Sequence, residues 1–105
     1  MNDLEITRLC AEAMGFSPLI AIATDKSTVI ENLAIGQYWY CPLHNDAQAM
    51  ALVKKLKLSI ESYEEEGADC YVYSDTDPRV QAFNIDLNRA IVECVAKMQA
   101  GKNER

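Results

Sequence analysis

The sequence predicts an α+β domain, an α/β/α layered sandwich in which about three helices pack on a mostly antiparallel sheet. Two observations lead there. Apolar stripes at helical spacing occur near the start, the middle and the end of the chain, and the intervals between them carry β-branched and aromatic runs broken by polar turns. The resulting order is α, two or three β, α, two β, α, with no internal repeat or linker to split it. At 105 residues the chain has the length of one domain, enough to bury somewhat over ~60% of its unfolded surface. The expected organisation is one domain over residues 1–101 and a polar tail over 102–105.

The first helix is signalled by Asp3 as N-cap, by Ile6, Leu9, Cys10, Ala13 and Met14 on one face, and by Gly15 as a stop. From Ser17 to Leu43 the helical period disappears. Leu19 to Ala23, Thr28 to Ile30 and Ile35 to Tyr40 read as two or three strands, with turns around Asp25-Lys26-Ser27 and Glu31-Asn32. The second helix starts at Asn45 as N-cap, with Asp46 at the first helical position and Gln48 placed to complete a capping box. It is expected to run to about Leu56 on a stripe of Ala49, Leu52, Val53 and Leu56, with Lys54, Lys55 and Lys57 at the carboxyl end. Leu58 to Tyr63 and Cys70 to Tyr73 read as an antiparallel pair across the loop Glu64 to Asp69. Asp75-Thr76-Asp77-Pro78 is a turn-rich connection. The third helix, from Asn84 or Asp86, shows the strongest period, Leu87, Ala90, Ile91, Cys94, Val95 and Met98, and Gly101 is expected to end it.

Charge narrows the function classes. The formal charge of −6 with a pI near 4.6 argues against general nucleic-acid or anionic-membrane binding, since both need a basic face. No run approaches the roughly 18 to 20 apolar residues of a membrane span. The start, Met1 to Glu5, lacks a basic region and apolar core, so a cytoplasmic location is expected. The cysteines, Cys10, Cys41, Cys70 and Cys94, form no C-x-x-C pair and share one histidine. They read as reduced thiols rather than zinc ligands, and Cys10 and Cys94 fall on helix stripes as small hydrophobes.

No phosphate loop is present, because Gly15, Gly36, Gly67 and Gly101 are isolated. No metal site and no cofactor are expected. The acidic group Glu61, Glu64, Glu65, Glu66 and Asp69 lacks the ligand alternation of a calcium loop and reads as a solvated hairpin. Tyr38, Trp39 and Tyr40 alternate across a strand, so one side packs in the core and the other meets a subunit or stacks a planar ligand. Donors for a phosphorylated ligand would be Arg8, Arg79, Arg89 and the amino ends of the second and third helices. The plainer reading of Arg89 is a surface ion pair with Asp86 or Glu93.

Three stretches carry a resemblance: Leu4 to Gly15, Tyr40 to Met50 (Tyr40-Cys41-Pro42-Leu43-His44-Asn45-Asp46-Ala47-Gln48-Ala49-Met50) and Asp86 to Ala96. They are similar to the phage ABA-sandwich domain family, small phage and prophage proteins, and the likeness covers nearly the whole chain. Tyr40-Cys41-Pro42 departs mildly from the aromatic-Asn-Pro helix entry usual there. The resemblance implies an α/β/α layered fold, a phage origin and a place in the host cytoplasm, and it transfers no active site. It further implies an accessory protein acting against host defence, for which one strategy is a sponge that withholds a nucleotide immune signal.

The first functional expectation is therefore a non-enzymatic homo-oligomer that binds a cyclic oligonucleotide or cyclic ADP-ribose-type signal at a subunit boundary. Trp39 or Tyr40 would stack the base, Arg89 and Arg8 would engage phosphate, and Asn45 or His44 would supply hydrogen bonds. The alternative is an acidic interaction module that blocks a host protein through Glu64, Glu65, Glu66, Asp69, Asp75 and Asp77. An enzyme acting through His44 with Cys41 or Asp46 comes third, since helix entry already accounts for Asn45 and Asp46.

Overall fold

Asn2 rather than Asp3 caps the first helix, α1 (Asp3–Ala13): its side chain accepts the Glu5 N–H at 2.8 Å. Asp3 thereby enters the first turn, where a carboxylate suits the positive end of the helix dipole. The other end closes on Gly15 at φ +81, with Gly15 N–H donating to Glu12 and Phe16 N–H to Ala11, both at 2.9 Å. This is the Schellman arrangement, and it requires the left-handed backbone that glycine adopts without strain. Lys55 of the next helix also donates to the Met14 carbonyl at 2.7 Å, so the orphan carbonyls at this end find donors.

The computed structural model describes residues 2–19, 28–32, 36–62, 70–74 and 80–104. Within them α1 is followed by β1 (Ser17–Leu19), β2 (Thr28–Asn32), β3 (Gly36–Tyr40), α2 (Asp46–Leu56), β4 (Leu58–Ser62), β5 (Cys70–Ser74), β6 (Gln81–Asn84) and α3 (Leu87–Asn103). The α+β class with three helices and antiparallel strands is the one expected from the sequence. The strands divide into two sheets, β1-β2-β3 and β4-β5-β6, each a meander. Trp39 pairs with Val29 in the first sheet, and Tyr71 pairs with both Glu61 and Phe83 in the second.

Several boundaries differ from the sequence reading for local reasons. β1 begins at Ser17, directly after the α1 cap, and the expected continuation over residues 20–23 lies outside the described residues, as do residues 63–69 and 75–79. Glu31 and Asn32 belong to β2 instead of a turn, paired with Gln37 and Gly36. β6 lies between the turn-rich connection expected at Asp75 to Pro78 and the third helix, a stretch to which the sequence assigns no element. Its alternation places Ala82 inward and Gln81 and Phe83 outward, but four residues carry too little period to stand out.

α2 enters as expected, with Asn45 accepting the Gln48 N–H at 3.0 Å, but the capping box does not close on itself. The Gln48 side chain instead accepts the Cys41 N–H at 2.7 Å, which ties the chain before Pro42 to the helix. α2 leaves through Lys57 in the left-handed region at φ 54, so β4 starts at once with Leu58. α3 is capped by Asp86, which accepts from Asn88 and Arg89, and it passes through Gly101 to Asn103. A helical glycine costs only about 1 kcal/mol relative to alanine. Side-chain hydrogen bonds from Gln99 to Asn103 and from Asn103 to Glu12 of α1 hold this last turn.

The core centres on α3. Ala90, Ile91, Val92, Cys94, Val95 and Ala96 are buried, more than the single stripe read from the sequence, because the helix is covered by α1 and α2 as well as by β5 and β6. α1 supplies Ile6, Cys10 and Ala11, α2 supplies Ala49 and Leu52, and Tyr40, Leu43, Leu58, Val72 and Ala82 complete the cluster. The approach of α1 to α3 is close enough for the Cys10 thiol to reach the Val92 carbonyl at 3.6 Å. Buried Thr7 satisfies its hydroxyl by donating to Asp3 one turn back, at 2.9 Å.

All four cysteines are free thiols. Burial pushes the Cys94 thiol up to about 11, and burial followed by the nearby Cys94 pushes Cys10 higher still. An unfolded thiol ionises near 8.5, so above that pH the unfolded chain binds fewer protons than the folded one and stability falls. Thermal melts should therefore show wild type losing stability between about pH 8.5 and 11. Cys94→Ala should lose less over the same interval, and identical slopes would count against the buried-thiol assignment.

Candidate functional site

Tyr40 is a core residue, which corrects its expected role in stacking a base. It is 2% exposed, and Phe16 meets its ring edge-on at 5.7 Å and 77°. The ring closes the end of β3 against the turn that follows α1. The Trp39 side chain lies outside the described residues.

His44 is exposed in the turn between β3 and α2, its backbone N–H donating to Cys41 at 3.1 Å. Among the described residues no side chain hydrogen-bonds its ring, so no orienting partner or nucleophile is assembled around it. Asn45 uses its side-chain oxygen as the α2 cap. The fold does bring the amino ends of α2 and α3 together, since Asn88 of α3 donates to Asp46 of α2 at 2.7 Å. Each end is already served by a carboxylate, Asp46 in one and the Asp86 cap in the other. A phosphate placed there would meet negative charge alongside the helix N–H groups, which removes most of the usual advantage of a helix amino end.

Arg8 and Arg89 are separated, and Arg79 lies outside the described residues. Arg89 donates from Nε to Glu93 at 2.7 Å and from Nη1 to Asp3 at 2.5 Å, so it ties α3 to the first turn of α1. Glu93 is the partner named by the plain ion-pair reading, and Asp3 is one that spacing within a single helix cannot reveal. The hydrogen bonds to Glu93 and Asp3 raise the guanidinium pKa further. Arg8 sits in a different place, a surface groove of about 250 Å³ with Glu5, Leu9 and Glu12, its Nε buried with no hydrogen-bond partner among the described residues. A second groove of about 220 Å³ contains Ile6, Arg89, Glu93, Ala96 and Lys97. The two arginines thus line different grooves, each shared with glutamate, and neither groove includes Tyr40, His44 or Asn45.

Among the described residues, aromatic side chains gather elsewhere, on the second sheet. Val72, Ser74 and Ala82 are buried on the side that meets α3, so the alternate residues Tyr71, Tyr73, Gln81 and Phe83 point outward with Glu61 of β4. Phe83 stacks on Tyr71 at 4.5 Å and 13°, and Tyr71 lies 4.9 Å from Tyr73. Two diagonal hydrogen bonds hold the tyrosines, Tyr71 to Gln81 at 2.6 Å and Tyr73 to Glu61 at 3.5 Å. Phe83 is 50% exposed, and Ile85, just past the strand, is 67% exposed. The signal in the sequence is the alternation Tyr71-Val72-Tyr73-Ser74, which marks two aromatic residues on one face. Without β6 in the reading, the third ring was missing and the face had no extent.

No protein-family profile, curated protein or solved structure matches this chain. Stability measurements can check the arginine assignment directly. A double-mutant cycle on Asp3→Asn and Arg89→Gln should give a coupling of about 1 kcal/mol at low salt, shrinking in 1 M salt. Zero coupling at low salt would mean that Arg89 is free to serve a ligand.

Proposed function

We propose that the protein is a non-enzymatic binding module that docks a protein partner on the outer face of β4-β5-β6. In keeping with the resemblance to the phage ABA-sandwich proteins, we assign it to the phage accessory class that acts on a host protein in the host cytoplasm. The observation that carries the reading is the row Phe83, Tyr71 and Tyr73, in which Tyr71 contacts both other rings, on the sheet side away from α3, with Phe83 exposed and the tyrosines half-buried. Tyrosine and phenylalanine supply large contact area with few torsions to immobilise, which is why aromatic residues concentrate at interfaces. Their hydrogen bonds to Gln81 and Glu61 set the rings before binding and lower the entropy cost of association. The acidic residues within 63–69 and 75–79, the other contact surface anticipated for such a module, lie outside the described residues.

Sequestration of a nucleotide signal is the second reading, and the same rings favour it, since any base can stack on an aromatic face. Against it stand the carboxylates that occupy Arg89 and both helix amino ends. One experiment separates the two. A photo-crosslinking residue at position 83 should capture a discrete bacterial protein, while the same residue at Met50, 40% exposed on α2, should capture none. Native mass spectrometry with cyclic di- and trinucleotides and cyclic ADP-ribose isomers should show no stoichiometric adduct. An adduct lost on Arg89→Gln would reverse the choice.

A further inference from the structure

We infer that the aromatic face recognises arginine side chains on a basic segment of its partner. This rests on the docking reading above and adds the chemistry of the contact. The outward positions of the three strands are Ser59 and Glu61, Tyr73 and Tyr71, and Gln81 and Phe83, as the pairing register sets them across from one another. None of these six is a cation. The only formal charge among them is Glu61, beside the Tyr73 hydroxyl, and the outer ring faces of the stack carry the negative side of the aromatic quadrupole. Lys97 approaches the border of β6 but donates to the Gln81 backbone carbonyl at 3.0 Å. The chain as a whole carries −6. A ligand that complements this surface is therefore cationic, flat enough to lie on stacked rings, and able to donate to a carboxylate.

A guanidinium meets all three demands. It lies on a ring by stacking and cation–π attraction while its edge keeps several N–H donors for Glu61, whereas an ammonium is a compact, strongly hydrated charge. Tyr71 and Phe83 stack face on face with Tyr73 packed beside Tyr71, and a guanidinium caps this stack on an outer ring face. A phosphate-bearing ligand meets the opposite case, because the same face offers it aromatic surface and no counter-charge.

The test is an NMR titration of the full chain, with aromatic and backbone resonances followed. Three probes are used: a soluble arginine-glycine-serine peptide, its lysine counterpart and a neutral leucine-serine peptide. The expected result is saturable shifts at Tyr71, Tyr73, Phe83 and Glu61 with the arginine peptide, at an affinity about fivefold above that of the lysine peptide. Phe83→Leu and Glu61→Gln, both conservative changes at exposed positions, should each weaken arginine binding about threefold without altering the melt. Equal affinity for both basic peptides, with shifts scattered over the acidic surface, overturns the inference. A neutral peptide seated on the face with the arginine peptide silent also overturns it but leaves protein docking intact. Shifts at the face that depend on protein concentration alone overturn it in favour of a second copy of the chain. If no peptide moves the face and a cyclic nucleotide does, the docking reading fails as well.

Discussion

Burial of α3 on more than one side is the constraint from which the rest of this structure follows. A helix covered by two helices and two strands must carry small or slender side chains over most of its circumference, and Ala90, Val92, Cys94, Val95 and Ala96 meet that demand. Small residues there let the α1 backbone come near, to the point where the Cys10 thiol touches a carbonyl of α3. The charged link follows from the same approach. Asp3 reaches Arg89 because α1 lies against α3, and the pairing takes out of play the cation that looked most available for an anion.

The position of α3 also decides which face of the second sheet is spare. The helix occupies one side, burying Val72, Ser74 and Ala82, and strand alternation then sends Tyr71, Tyr73 and Phe83 to the other. No described element covers that side. Aromatic residues on a face the core does not use contribute little to folding, since their transfer from water is incomplete. Their mutual stacking and their fixed hydroxyls make sense as preparation for a partner, and their electrostatics narrow what the partner presents.

Helices were legible in the sequence because each signals itself locally. Asn45 and Gln48 mark the α2 entry within four residues, and the stripe from Leu87 to Met98 repeats over several turns, enough to place α3 without any tertiary knowledge. β2 and β3 were legible as strands, although their exact limits depend on pairing partners. β6 was not legible, because four residues cannot establish a period and Phe83 acquires meaning only when register sets it opposite Tyr71. The candidate site shows the same divide. Alternation alone does not say which face of the Tyr38 to Tyr40 strand enters the core, and the neighbour that buries Tyr40, Phe16, comes from a turn distant in sequence. Arg89 could be paired with Glu93 by helical spacing alone, whereas its bond to Asp3 needed the docking of α1.

The account turns on whether the Tyr71-Phe83 surface is a binding face or a folding element, and equilibrium urea unfolding of the Tyr71→Ser/Phe83→Ser double variant decides it most directly. A binding face predicts an unchanged m-value and a loss of no more than about 2 kcal/mol, the worth of one aromatic pair and its partly buried area. A loss of roughly 5 kcal/mol or more, the scale of aromatic residues removed from a core, would contradict the account and place these rings in the folded interior.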